Sequence, residues 1–113
     1  MIIFPFGFYI LDGKRPIYLG NNFEAQETMR NWMRLNPDKV LLRSDMVGAT
    51  EIFTEFLGCD RTAVSATMCQ GFPLLFKTTR SAHGVAAEIR RYDAYDDSIR
   101  GHTEIVQMYQ RLH

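Results

Sequence analysis

TEIFTEFLG, running from Thr50 to Gly58, crowds β-branched and aromatic residues into nine positions and ends on a glycine. That is the composition of a strand reaching a turn. Alternation puts Ile52, Thr54 and Phe56 on one face and Glu51, Phe53, Glu55 and Leu57 on the other. Both faces are partly apolar, which predicts a central strand covered on one side and partly wet on the other. PLLFKTTR (Pro73 to Arg80) and AAEIRRYD (Ala86 to Asp93) read as two further strands, completing an antiparallel meander. Symmetric pairing about the intervening loop sets Lys77 across from Phe53 and diagonal to Glu51 and Glu55, a cross-strand charge ladder.

Upstream, KVLLRSDMV (Lys39 to Val47) reads as a strand that Gly48 turns into the central one. Nearer the start, Phe8 to Leu11 and Ile17 to Leu19 flank Asp12-Gly13, a hairpin signal, because both turn residues tolerate positive φ. Pro16 cannot donate to a ladder, so the second arm is expected at an edge. A helix starts near Asn22, capped by Asn21 or Asn22, with Glu24 and Glu27 in its first turns. Phe23, Met29, Trp32 and Met33 supply its apolar side, and Arg30 and Arg34 its wet side. Asn36-Pro37 ends it, since the residue before proline avoids the helical region. A last helix follows the cap segment Asp93 to Asp97, with Ile99, His102, Ile105, Val106, Tyr109 and Leu112 forming one stripe at helical spacing.

These elements predict an α+β fold in a single domain of residues 1–113, an antiparallel sheet of about five to six strands with two helices packed on one face. Trp32, Met29, Ile99, Val106 and Tyr109 are expected on the helix side of the core. Ile52 and Phe56, or alternatively Phe53 and Leu57, are expected on the sheet side.

The chain has 113 residues, 46% hydrophobic and 23% charged, which fits a globular domain and argues against disorder. Thirteen basic residues balance thirteen acidic ones, so no phosphate-neutralising surplus points to nucleic acid. The two cysteines, Cys59 and Cys69, are too few for a disulfide framework and are read as free thiols in a reducing cytosol. The apolar start MIIFPFGFYIL is interrupted by Pro5 and Gly7, has no basic leader and falls short of the roughly 20 residues that cross a bilayer. It reads as a strand, and no membrane association is expected.

TEIFTEFLGCDR, PLLFKTT and RRYDAYDDSIRGHTEIV together resemble a group of small uncharacterised proteins of bacteria and their phages. In that group a strand ending in Phe-Leu-Gly and an Asp precedes Pro-Leu-Leu-Phe, and a Tyr strand then enters a helix carrying Gly-His. The matching positions are Phe56, Leu57, Gly58 and Asp60, then Pro73 to Phe76, then Tyr92, Gly101 and His102. Ile10 to Pro16 and the Trp-containing first helix are also similar. This chain departs from the pattern at Asp60-Arg61, where the group has Asp-His. It departs again in its extended loop and at Tyr95, where the group has Trp. The resemblance implies a cytoplasmic setting in a bacterial host, and no activity.

The residues name no catalytic centre. Glu51 and Glu55 lie four residues apart along a strand at about 3.3 Å each, too far to couple. Cys59, Cys69, His83 and His102 lack the close spacing of metal ligands, and no phosphate-cradling loop occurs. His102 reads as a boundary histidine of the last helix, with ligand contact as the alternative. The loop from Cys59 to Phe72 exceeds the usual hairpin connection. It offers Met68 and Phe72 as apolar anchors, with Arg61 and Asp60 as charged handles. Lys77, Arg80, Arg90 and Arg91 cluster on two neighbouring strands beside it. Arg61, Met68, Phe72, Lys77, Arg80, Arg91 and His102 are therefore the candidate binding residues. The expectation is a non-enzymatic, phage-encoded protein without cofactor or metal that binds a host protein stoichiometrically, as inhibitor or adaptor. The alternative is a homo-oligomer that captures an anionic metabolite or nucleotide signal at an arginine-lined interface.

Overall fold

The computed structural model describes residues 7–60 and 73–112. Strands β1 (Phe8–Asp12) and β2 (Arg15–Gly20) form a hairpin, followed by helices α1 (Phe23–Leu35) and α2 (Pro37–Val40). Strands β3 (Leu41–Val47), β4 (Thr50–Phe56), β5 (Phe76–Ala82) and β6 (Val85–Tyr92) then lead into helix α3 (Tyr95–Leu112). The fold is α+β, as its alternating patterns imply, but the six strands of the described residues divide into a two-stranded sheet β1-β2 and a four-stranded antiparallel sheet β3-β4-β5-β6. A backbone bond, from the Tyr9 N–H to the Gly58 carbonyl at 2.8 Å, ties the hairpin to the end of β4 without extending the larger sheet. Among the described residues, no helix is long and apolar enough to cross a membrane.

Local chemistry explains the boundaries. The Asn22 side chain accepts from the Ala25 N–H at 2.9 Å and starts α1. At the other end the Asn36 amide donates to the Trp32 carbonyl at 2.8 Å. Pro37 then occupies the first turn of α2, where its missing N–H costs nothing. That extra turn delays β3 to Leu41, two residues later than the apolar run beginning at Lys39 suggests. Before β5, the Asp60 carboxylate accepts from the Leu74 N–H at 2.9 Å. The Leu57 N–H donates to the Leu75 carbonyl at 2.7 Å. These two bonds set the meander's register so that Phe56 faces Phe76 and Lys77 faces Glu55. Lys77 thus lies two residues from the Phe53 pairing that symmetry suggested, on the same face of the sheet.

The face bearing Ile52, Thr54 and Phe56, each at most 1% exposed, is the one that α3 covers. At one end Val47 and Ile52 meet Ile105, Val106 and Tyr109 of α3. At the other, Phe56 and Phe76 pack with Leu11, Leu75 and Tyr92, and Trp32 and Tyr95 close over them. Trp32 meets the Phe56 ring edge-on at 5.9 Å, so α1 reaches the same face. A third cluster, Phe8, Ala25, Met29 and Cys59, joins the hairpin to α1, and puts Met29 against the hairpin instead of the large sheet. Each buried apolar side chain of this size contributes about 1.5–3 kcal/mol. Leu112, the last residue of the α3 stripe, is exposed, because the helix runs past the sheet.

Candidate functional site

One turn of α3 carries Ser98, Gly101 and His102, all buried. Thr54 of β4 and Thr78 of β5 are directly paired across the sheet beneath that turn. Their hydroxyls are 2.6 Å apart. Thr78 also meets the Tyr92 hydroxyl at 2.9 Å, and Thr54 meets His102 Nδ1 at 2.8 Å. His102 Nε2 in turn lies 2.7 Å from Asp45 Oδ2 on edge strand β3. A continuous polar chain therefore runs Tyr92, Thr78, Thr54, His102, Asp45, through all four strands of the sheet and α3.

Donor accounting gives this chain a direction. Asp45 as carboxylate only accepts, so Nε2 carries a proton and donates to it. In the neutral ring Nδ1 is then an acceptor, taking the Thr54 O–H. Thr54 accepts from Thr78, and Thr78 from Tyr92. Every proton points toward Asp45. Gly101 makes this possible by lacking a side chain, since a Cβ there would collide with the Tyr92 ring and hydroxyl.

The order carboxylate, imidazole, hydroxyl is that of a hydrolytic triad, but accessibility is inverted. Thr54 is fully buried and His102 is 1% exposed, whereas the Asp45 side chain is 51% exposed. A nucleophile must meet its substrate, and this hydroxyl is sealed under α3. The only member of the chain that presents itself to solvent is Asp45. It lines a hollow of about 470 Å3 with Lys14, Leu42, Arg43, Ser44, Tyr95, Asp96 and Ile99. Lys14, at the hairpin tip, sits 3.1 Å from Asp96 and 5.7 Å from the centre of the Tyr95 ring.

The sequence-derived binding residues are dispersed. Arg61, Met68 and Phe72 lie outside the described residues, as does Cys69. Asp60, expected as a charged handle, is buried and its carboxylate accepts from the Leu74 N–H. His102 is not at a boundary but fully within the core, with both ring nitrogens engaged. Lys77 and Arg91 remain together on the face away from α3 and, with Leu57 and Cys59, line a hollow of about 280 Å3. Lys77 pairs with Glu55 at 3.7 Å and Arg91 with Glu88 at 2.7 Å. Arg80 faces Ile52 across the ladder, on the opposite side, and does not join them. Arg90 turns to Glu104 of α3 at 3.1 Å.

Asp45, Thr54, Thr78 and Tyr92 escaped sequence reading as a site. The available signal was a pair of threonines on inward-facing positions of two neighbouring strands, facing a helix whose apolar stripe is broken by a histidine. No group of three or more metal-ligating side chains converges among the described residues. Compared with protein-family models, curated proteins and solved structures, the chain matches none of them.

Proposed function

We propose that this is a non-enzymatic binding protein that acts by stoichiometric contact with a protein partner, through the face of the large sheet that α3 leaves open. The observation that carries the reading is the composition of that face. Leu41 and Met46 of β3 are exposed, and Phe53 and Leu57 are half-buried. Ion pairs of Glu55 with Lys77 and of Glu88 with Arg91 flank them. Apolar side chains framed by charge on a regular surface are the make-up of a protein contact. The opposite face has its reactive groups enclosed, which is why catalysis is not the reading offered.

Lys77 and Arg91 would meet acidic groups of the partner, and Phe53 with Leu57 its apolar anchor. The resemblance of the sequence to small proteins of bacteria and their phages makes a bacterial cytoplasmic protein the partner to seek. Capture of a small anion between Lys77 and Arg91 is the second reading, supported by the hollow they line. It is weaker because both bases already answer a glutamate, and an incoming anion has to compete with Glu55 and Glu88.

The test is capture from bacterial lysate by the parent and by two variants, Phe53→Gln and Lys77→Glu with Arg91→Glu, each first shown to melt cooperatively. The reading predicts that both variants lose the captured protein by at least about tenfold, the worth of roughly 1.4 kcal/mol. Retention of the partner by both folded variants contradicts it.

A further inference from the structure

The hollow at Asp45 is separate from the open sheet face, and nothing in the proposed contact uses it. Its charges form two pairs of different character. Lys14 and Asp96 answer each other across 3.1 Å. Arg43 and Asp45, two residues apart on the same face of β3, do not, for no ion pair within 4.0 Å joins them among the described residues. Asp45, which lines the hollow, spends Oδ2 on His102 and makes no other side-chain hydrogen bond among the described residues, while Arg43 is exposed and makes no hydrogen bond or ion pair among the described residues.

We propose that this hollow is a binding site for a small zwitterion, its cationic nitrogen on Asp45 and its anionic group on Arg43. Three observations converge on that chemistry. First, the Asp45 carboxylate is oriented by His102, itself fixed by Thr54, Thr78 and Tyr92 behind it, so a surface acid is held ready instead of sweeping through solvent. A preorganised acceptor loses little freedom on binding. Second, the rim already holds a cation: Lys14 lies against Asp96 and over the Tyr95 ring, an internal version of the contact assigned to the ligand. Third, the four lining charges sum to zero, and once Lys14 and Asp96 cancel, one acid and one base remain side by side. A ligand that carries both a cationic and an anionic pole matches that remainder, whereas a simple anion or a simple cation meets one repulsive neighbour. At about 470 Å3 the hollow is within the range of small-molecule sites, about 300–1,000 Å3. Leu42, Tyr95 and Ile99 give it an apolar wall for the carbon frame between the poles.

L-Arginine is a suitable probe, because it offers both a guanidinium and an ammonium together with a carboxylate. Backbone amide shifts of the full chain are followed by NMR during titration to millimolar concentrations, with argininamide (no carboxylate) and propionate (no cation) in parallel. The expected result is saturable shifts at Arg43 to Asp45 and Tyr95 to Ile99 with L-arginine. Argininamide should bind about tenfold more weakly, and propionate should bind no better, since each forgoes a charge-assisted hydrogen bond. Asp45→Asn keeps an acceptor for His102 and so preserves the fold. It should weaken L-arginine binding at least about tenfold, and Arg43→Ala should do likewise. Absence of saturable shifts with L-arginine overturns the proposal. So does equal binding of all three probes, or unchanged binding by both folded variants.

Discussion

Thr54 and Thr79 are both buried threonines on neighbouring strands, yet they stand in opposite situations. The Thr54 hydroxyl sits mid-chain between Thr78 and His102, while the Thr79 hydroxyl is buried without a hydrogen-bond partner among the described residues. Valine keeps the shape of threonine and removes the hydroxyl. Thr54→Val therefore leaves the Thr78 proton and the His102 Nδ1 lone pair unanswered, and should cost about 2–3 kcal/mol. Thr79→Val removes a group that burial already penalises, and should be neutral or stabilise by up to about 1 kcal/mol. Denaturant unfolding of the two variants checks this, and equal effects would deny the chain its importance. Gly101→Ala acts at the other end. The new methyl has to push the Tyr92 ring aside and drag its hydroxyl from Thr78, so a loss of about 1–3 kcal/mol is expected in the same assay.

Elements are joined here by few, specific bonds, and their sequence signals vary accordingly. The hairpin, α1, β4 and α3 were legible because each has its own punctuation: Asp12-Gly13, Asn22, Gly58 and the acids before Ile99. The short α2 was not, since Pro37-Asp-Lys-Val40 reads equally as the lead into a strand. Nor was the division into two sheets, because strand alternation reads the same in either sheet and the backbone bond from Tyr9 to Gly58 that ties the hairpin to β4 leaves no periodic trace. Register in the meander was missed by two residues because Asp60 and Leu75, not the loop's midpoint, fix it. Tyr9 offers a probe of how the hairpin is seated. Burial, and then the neighbouring Tyr18, push its pKa above the ordinary value of 10.0. A raised tyrosine pKa means that the folded state favours the protonated phenol. Its contribution is thus fully present below pH 10.0 and is lost as pH rises through the folded value. Melting temperature should therefore fall more steeply above pH 10.0 in the parent than in Tyr9→Phe. Parallel pH profiles for the two would show that burial is not felt there.

Across the whole molecule, α3 and the large sheet are held by two different kinds of interaction. Apolar clusters lie at either end, and a polar chain crosses between them. The sequence marked His102 as a residue of interest and placed it on the right stripe. Its two partners, Thr54 and Asp45, come from two strands 48 and 57 residues away in the chain, and the meaning of the histidine depends on which strand lies beneath it. Arg80 shows the converse: it shares a basic run with Lys77 and Arg91 but projects from the other face, because alternation across three residues reverses direction. The account's central claim is that the polar chain is directional and ends on Asp45 in the open hollow. Long-range 1H–15N correlation of the imidazole tests it most directly. The claim predicts that His102 carries its proton on Nε2, with Nδ1 showing the shift of a hydrogen-bond acceptor, and that Thr54→Val moves the Nδ1 signal while leaving Nε2 protonated. A proton found on Nδ1 in the parent protein would make His102 a donor to Thr54, reverse the chain there and contradict the account.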